Sequence, residues 1–264
     1  MELKTTKMLA EVDDGIGWIT FNNPERRNAI SLEMWEALGT ILEAYQHDPE
    51  VRVVVMRGAG GKAFVSGADI SEFEKSRSNA QQRAEYGAVT ANANRWLAKI
   101  DKPLLALIEG FCIGGGLATA LAADVRFATP DSTFGIPAAK LGLGYEYGGL
   151  KTLSGLVGPS RAKDIMFTAR FLEAEEALRI GLINFVESRD DIVQRVREYA
   201  GMIVGNAPLT VRAAKAAVNE AMKDPDKRDL DNIAAMVNEC FDSEDYKEGR
   251  KAFMEKRRPQ FKGS

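Results

Sequence analysis

The runs "VRVVVMRG" at 51–58 and "PLLALIEG" at 103–110 constrain the fold more than any other feature of the chain. The first is β-branched and closes on glycine, the pattern of a strand covered on both faces, and such strands need helices on either side. The surroundings supply them. A Gly-rich loop and a long helix near 79–99 follow the first run, and a helix opened by glycines, "GGGLATALAA", follows the second before the strand "DVRFAT". Strands alternating with helices predict an α/β protein whose units wrap a mainly parallel inner sheet.

Upstream, residues 7–23 alternate around an Asp-Asp-Gly turn and predict a β-hairpin. Ser31 caps "LEMWEALGTILEAYQ", where Leu32, Trp35, Leu38, Ile41 and Leu42 share one helical face. Beyond about 150 the pattern is helical apart from "LINFV", with helices expected at 150–157, 160–169, 173–180, 190–204, 208–222, 229–241 and 244–257. The stretch "GNAPLT" reads as a linker, dividing a core of residues 1–200 from a helical C-terminal segment, 201–264.

Composition narrows the chemistry. A net charge of −3 gives no basic field for nucleic acid or an anionic membrane. The start "MELKTTKMLAEVDD" has no apolar core of signal-peptide length, and no stretch is apolar for long enough to span a bilayer, so a cytoplasmic protein is expected. Cys112 and Cys240 form no CxxC pattern, and no metal site is expected. The single histidine, His47, falls at the polar end of a helix, a structural setting. An acid or base must then be Asp, Glu, Lys, Tyr or Cys.

Two glycine-rich stretches stand out, "GAGGKAFVSGADI" at 58–70 and "IEGFCIGGGLATA" at 108–120. Small residues let backbone approach a ligand, and a helix opening on glycines directs unpaired N–H groups at one point. Two such donors from separate loops meet the requirement of an oxyanion hole. A dinucleotide-binding turn is disfavoured, because Leu117, Ala118 and Thr119 follow the triple glycine and leave GxGxxG incomplete.

In order along the chain, "NNPERRNAI", "KAFVSGADI", "IEGFCIGGGLATALAADVRFA", "FGIPAAKLGLG", "LVGPSRAKDIMFTAR", "EALRIGLIN", "NAPLTVRAAKAAV" and "KEGRKAFMEKRRPQF" resemble the crotonase, or enoyl-CoA hydratase/isomerase, superfamily from about residue 5 to 262. The resemblance implies a crotonase-like fold of repeated ββα units with a helical C-terminal region that makes trimers or hexamers. It also implies an acyl-CoA thioester as substrate, with no separate cofactor. By the same likeness, the thioester oxygen is held by the amides of Ala68 and Gly115, with Gly114, Pro137 and Ala138 around the acyl group. The CoA portion would pass Arg27, Asp69 and Ile70, with Phe253 and Lys256 at its nucleotide end, the last two contributed by a neighbouring subunit.

The chain departs from the family at two places. Where similar hydratases carry glutamates, it has Ala118 and Ala138, and a methyl group neither positions water nor moves a proton. Glu146, in "GLGYEYGG", matches an aspartate of dienoyl-CoA isomerases and related enzymes, and is the candidate base. Burial among apolar neighbours would raise its pKa and suit reversible proton transfer. Tyr145 and Tyr147 would supply a hydrogen bond or a wall, and Glu109 is the second candidate carboxylate. A single base suits double-bond isomerisation better than hydration, though both stay open. Two alternatives stand beside these: a non-catalytic acyl-CoA-binding homologue, and an RNA-binding protein that uses Arg212, Lys215 and Lys223.

Overall fold

The computed structural model describes residues 1–69 and 80–264. The expected hairpin forms from β1 (Met8–Asp13) and β2 (Ile16–Phe21), with Asp14 and Gly15 both at positive φ in the turn. Parallel pairing then adds β3 (Val53–Gly58), β5 (Leu104–Ile108), β7 (Val125–Ala128) and the two-residue β10 (Phe185–Val186). The residues of β5 are all buried, as a strand covered on both faces requires.

A second sheet was not evident from residue patterns. It contains β4 (Ala63–Val65), β6 (Phe111–Ile113), β8 (Thr133–Gly135) and β9 (Leu172–Glu173), in that order. Its strands are only two or three residues long, too short for any periodicity to register. Each of β3, β5 and β7 thus runs through a short turn into a strand of the smaller sheet. The chain is a series of strand–turn–strand units, and those ending in β4 and β6 lead on towards helices.

Two of these turns need glycine for space. A Cβ on Gly58 would lie 2.1 Å from the Ala63 oxygen, and one on Gly110 would lie 2.1 Å from the Lys62 oxygen. The chain must double back on itself too tightly for any side chain.

Helix α1 (Leu32–His47) is capped by Ser31, whose side chain accepts from the Met34 amide, and buries Trp35, Leu38, Ile41 and Leu42 as its periodicity predicts. It packs on α2 (Ala80–Lys99), and Gly39 permits the approach: a Cβ there would lie 3.0 Å from the Ala93 nitrogen. His47 ends α1 and its ring Nδ1–H donates to the Glu43 carbonyl, the structural role expected of it.

The later helices are α3 (Gly115–Leu121), α4 (Tyr147–Val157), α5 (Pro159–Thr168), α6 (Ala174–Arg179), α7 (Ile192–Val204), α8 (Pro208–Ala221), α9 (Leu230–Asp242) and α10 (Glu244–Glu255). Helix α7 crosses residue 200 without a break and packs Val196 and Ala200 against the larger sheet. The helical break comes slightly later, at Gly205–Ala207. Helices α8 to α10 contribute nothing to either core cluster among the described residues.

Candidate functional site

Because β4, β6 and β8 are parallel, the segments that leave them emerge side by side at one end of the smaller sheet. Ser66, Gly67 and Ala68 follow β4, Gly114 and Gly115 follow β6, and Ile136, Pro137 and Ala138 follow β8. Residues 47 positions apart in sequence, Ala68 and Gly115, are thereby brought together. A Cβ built on Gly115 would lie 3.8 Å from the Ala68 nitrogen, and one on Gly114 would lie 3.9 Å from Gly67 Cα.

The three consecutive glycines have separate tasks. Gly114 takes φ +56° and its amide donates to the Gly135 carbonyl at 2.8 Å, tying the end of β6 to the end of β8. A Cβ on Gly116 would stand 2.0 Å from the Val65 oxygen, so α3 can pack on β4 only without a side chain there. Gly115 is under neither restriction. It opens α3, where first-turn amides have no helical acceptor, and no side chain caps the helix.

The turn carrying Ala68 is clamped from the other side by residues 22–30. The Ile30 amide donates to the Gly67 carbonyl at 2.9 Å, and the Asp69 amide donates to the Ile30 carbonyl at 3.0 Å. This parallel bridge uses the groups flanking Ala68 and turns the Ala68 N–H to the opposite side of the strand. The Ser66 amide donates to the Arg27 carbonyl at 3.1 Å. Asn28 locks the clamp: it is buried at φ +55°, accepts from the Asn23 amide, and donates to the Ala59 and Ala63 carbonyls.

Charged groups border this end. The Arg26 guanidinium binds both oxygens of Asp69, at 2.9 and 3.1 Å, and the exposed Arg27 guanidinium stacks 4.8 Å above the Phe111 ring. Ile70 lies outside the described residues.

The carboxylate expected to be buried is exposed instead. Glu146 sits at the N-cap of α4 in extended conformation, directly after Tyr145. Successive side chains of an extended segment point opposite ways, and here the ring of Tyr145 takes the inner side, against the core. Gly149 makes room for it: a Cβ there would be 2.9 Å from Tyr145 Cε1. Burial pushes the Tyr145 phenol above its ordinary pKa, so at neutral pH it can donate a hydrogen bond but is no base. Tyr147 is exposed. Helix α4, which opens at Glu146, packs against α3, which opens at Gly115.

The other positions resolve by placement. The Ala118 methyl is exposed, whereas Ala138 is packed in the core. Glu109 lies in the turn before β6, the end opposite Gly115, and pairs with Arg189 at 3.0 Å, which sets it apart from the turns that carry Ala68 and Gly115. Phe253, 83% exposed, lines a groove of about 870 Å³ with Leu209, Val237 and Phe241. Lys256 ends α10 at φ +56°. Neither Ala68, Gly115 nor Glu146 lines that groove. The cations suggested for RNA are engaged: Arg212 with Glu239, Lys215 with Asp124 and Lys223 with Glu220. Among the described residues no group of three or more His, Cys, Asp or Glu is arranged to hold a metal, and no helix is long and apolar enough to cross a membrane.

Residues 11–264 match the profile of the family described as "Enoyl-CoA hydratase/isomerase". The chain is 35% identical over 260 residues to the short-chain-enoyl-CoA hydratase of Clostridium acetobutylicum, covering 97% of each protein. It is 34% identical to the crotonyl-CoA hydratase of Syntrophomonas wolfei, over 96% of this chain and 97% of that one. The crystal structure of an enoyl-CoA hydratase/carnithine racemase from Magnetospirillum magneticum superposes with a TM-score of 0.92 at 33% identity, over 99% of this chain and 97% of the other.

Proposed function

This chain belongs to the enoyl-CoA hydratase/isomerase family, and from that membership and the geometry of its turns we propose that it binds an acyl-CoA thioester oxygen between the amides of Ala68 and Gly115. The observation that carries the reading is the juxtaposition of these two residues on neighbouring parallel turns, one held by the 22–30 clamp and the other opening a helix. Two amides fixed before substrate arrives stabilise an enolate oxygen by a few kcal/mol in a site from which water is excluded. Asp69 and Arg27 border the same turn and would flank the CoA portion, with Gly114, Pro137 and Ala138 at the acyl group.

Glu146 is the proton-transfer group in this reading. Ala118 and Ala138 have no titratable atom, Glu109 stands at the far end of β6, and Asp69 is assigned to the CoA portion. Among the described residues that follow β4, β6 and β8 this leaves Glu146 as the carboxylate to take a proton from one carbon of an enoyl chain and return it to another. The preferred reaction is therefore double-bond isomerisation. Hydration is the second reading, favoured by the names of the relatives from Clostridium and Syntrophomonas. Because Glu146 is exposed in the single chain, bound substrate or a neighbouring subunit must cover it during turnover.

The test is incubation with 2-enoyl, 3-enoyl and 2,4-dienoyl thioesters in deuterated water, with the label located by mass spectrometry. Deuterium on the acyl chain without added water, lost in Glu146→Gln while acyl-CoA still binds, is the expected result. Addition of water establishes hydration instead, and turnover undiminished in Glu146→Gln removes that residue from the mechanism. Binding without turnover of any thioester leaves a non-catalytic carrier of acyl-CoA.

A further inference from the structure

A second pocket, of about 260 Å³, lies where β3 and β5 begin, away from the turns that follow β4 and β6. Arg52, Lys102, Arg212 and Lys262 line it, and Asp101 is the one carboxylate side chain among its lining residues. That carboxylate accepts from the Gln46 side chain at 3.2 Å, and Arg212 pairs with Glu239.

Arg52 and Lys102 are different. Both are half-buried, and among the described residues neither has a carboxylate within ion-pair distance. Arg52 donates to the Val204 and Phe261 carbonyls, and Lys102 to the Tyr45 and Asp48 carbonyls. Carbonyl dipoles satisfy hydrogen bonds but leave the net charge uncompensated, and partly buried charges are ordinarily paired. Desolvation holds the Lys102 ammonium below its usual pKa, opposed only by the charge of Asp48. Helix α8, of 14 residues, also opens here at Pro208, and no side chain caps it.

We propose that this pocket is a ligand site for a small anion of the phosphate class, separate from the thioester site. A phosphate oxygen there would meet the remaining N–H groups of Arg52 and the third ammonium hydrogen of Lys102, with Lys262 at the rim and the first amides of α8 opposite. The proposal does not depend on the reaction assigned to the other site.

Titration calorimetry of the whole chain with inorganic phosphate, pyrophosphate and AMP, against sodium chloride at matched ionic strength, tests it. Saturable binding of phosphate that chloride does not mimic is expected, and tighter AMP than phosphate identifies a phosphate ester as the ligand. Arg52→Gln should weaken binding about tenfold, the loss of one charge-assisted hydrogen bond. Lys262→Ala, at an exposed side chain, should weaken it about threefold without disturbing the fold. Where Arg52→Gln does not fold, amide shift mapping of the unmodified protein decides: shifts at residues 46–52, 101–103 and 206–212 support the site, and shifts elsewhere overturn it. Absence of saturable binding, or equal affinity in Lys262→Ala and the unmodified chain, also overturns it.

Discussion

At the level of single residues, adjacent glycines obey different constraints, and substitution separates them. Gly116→Ala drives a methyl into the Val65 carbonyl, where backbone must move, and should cost about 3 kcal/mol or more in denaturant unfolding. Gly115→Ala meets nothing closer than 3.8 Å and should fold with a loss on the order of 1 kcal/mol or less. Its methyl would still stand beside the proposed thioester oxygen, so turnover should fall on the order of 10²-fold. Equal effects of the two substitutions on stability and turnover would contradict this division. The cysteines differ as well: burial pushes the Cys112 thiol well up, while Cys240 is only half-buried. In a Phe253→Asp with Met254→Asp chain, freed of its partners, iodoacetamide should alkylate Cys240 and leave Cys112 unmodified, as read by peptide mass spectrometry. The glycines at 114–116 were visible in the sequence, but which one faces space was not, because that depends on how near Val65 and Ala68 come.

At the level of elements, the clamp formed by residues 22–30 holds the Ala68 turn through backbone hydrogen bonds and is itself locked by a single buried amide, Asn28. Asn28→Ala removes three hydrogen bonds, strands the Ala59 and Ala63 carbonyls, and leaves alanine at positive φ. A destabilisation of about 2–4 kcal/mol is expected in chemical denaturation. A second element-scale prediction concerns the end of the chain. The Arg257 guanidinium binds Glu248 and, together with the Gln260 amide, holds its carboxyl at about 2. A depressed carboxylate stabilises the fold above its ordinary value of 4.5, and that contribution disappears as the pH falls from there towards about 2. Proteolysis after α10 should accelerate across that window in the unmodified chain, and the acceleration should be much smaller in Glu248→Gln. Long elements were legible in advance: the hairpin, α1 and each helix after 147 fall within a few residues of where periodicity puts them. The smaller sheet was not, since three-residue strands show no alternation and are held by pairing partners far away in sequence.

At the level of the whole molecule, the C-terminal helices are incompletely covered. Val218, Met222, Leu230, Phe241, Phe253 and Met254 are exposed, and α8 to α10 stand outside the core clusters while bordering a largely apolar groove. A patch of this kind marks an interface, and we propose that residues 201–264 assemble this chain with copies of itself as a trimer or hexamer. Phe253→Asp with Met254→Asp should yield a folded monomer in light scattering, whereas an unchanged mass would place the interface elsewhere.

By itself the sequence determined which segments become helix and which become long buried strand, and it marked where backbone must approach backbone. Those properties follow from side-chain periodicity, capping and the lack of a Cβ, all local quantities. Only the tertiary structure decided that the turns after β4 and β6 adjoin, that Tyr145 turns inward and Glu146 outward, and that two half-buried cations share a pocket. Each of these depends on contacts between residues dozens of positions apart, or on which side of a short segment gains more by burial, and both are set by the packing of the whole chain.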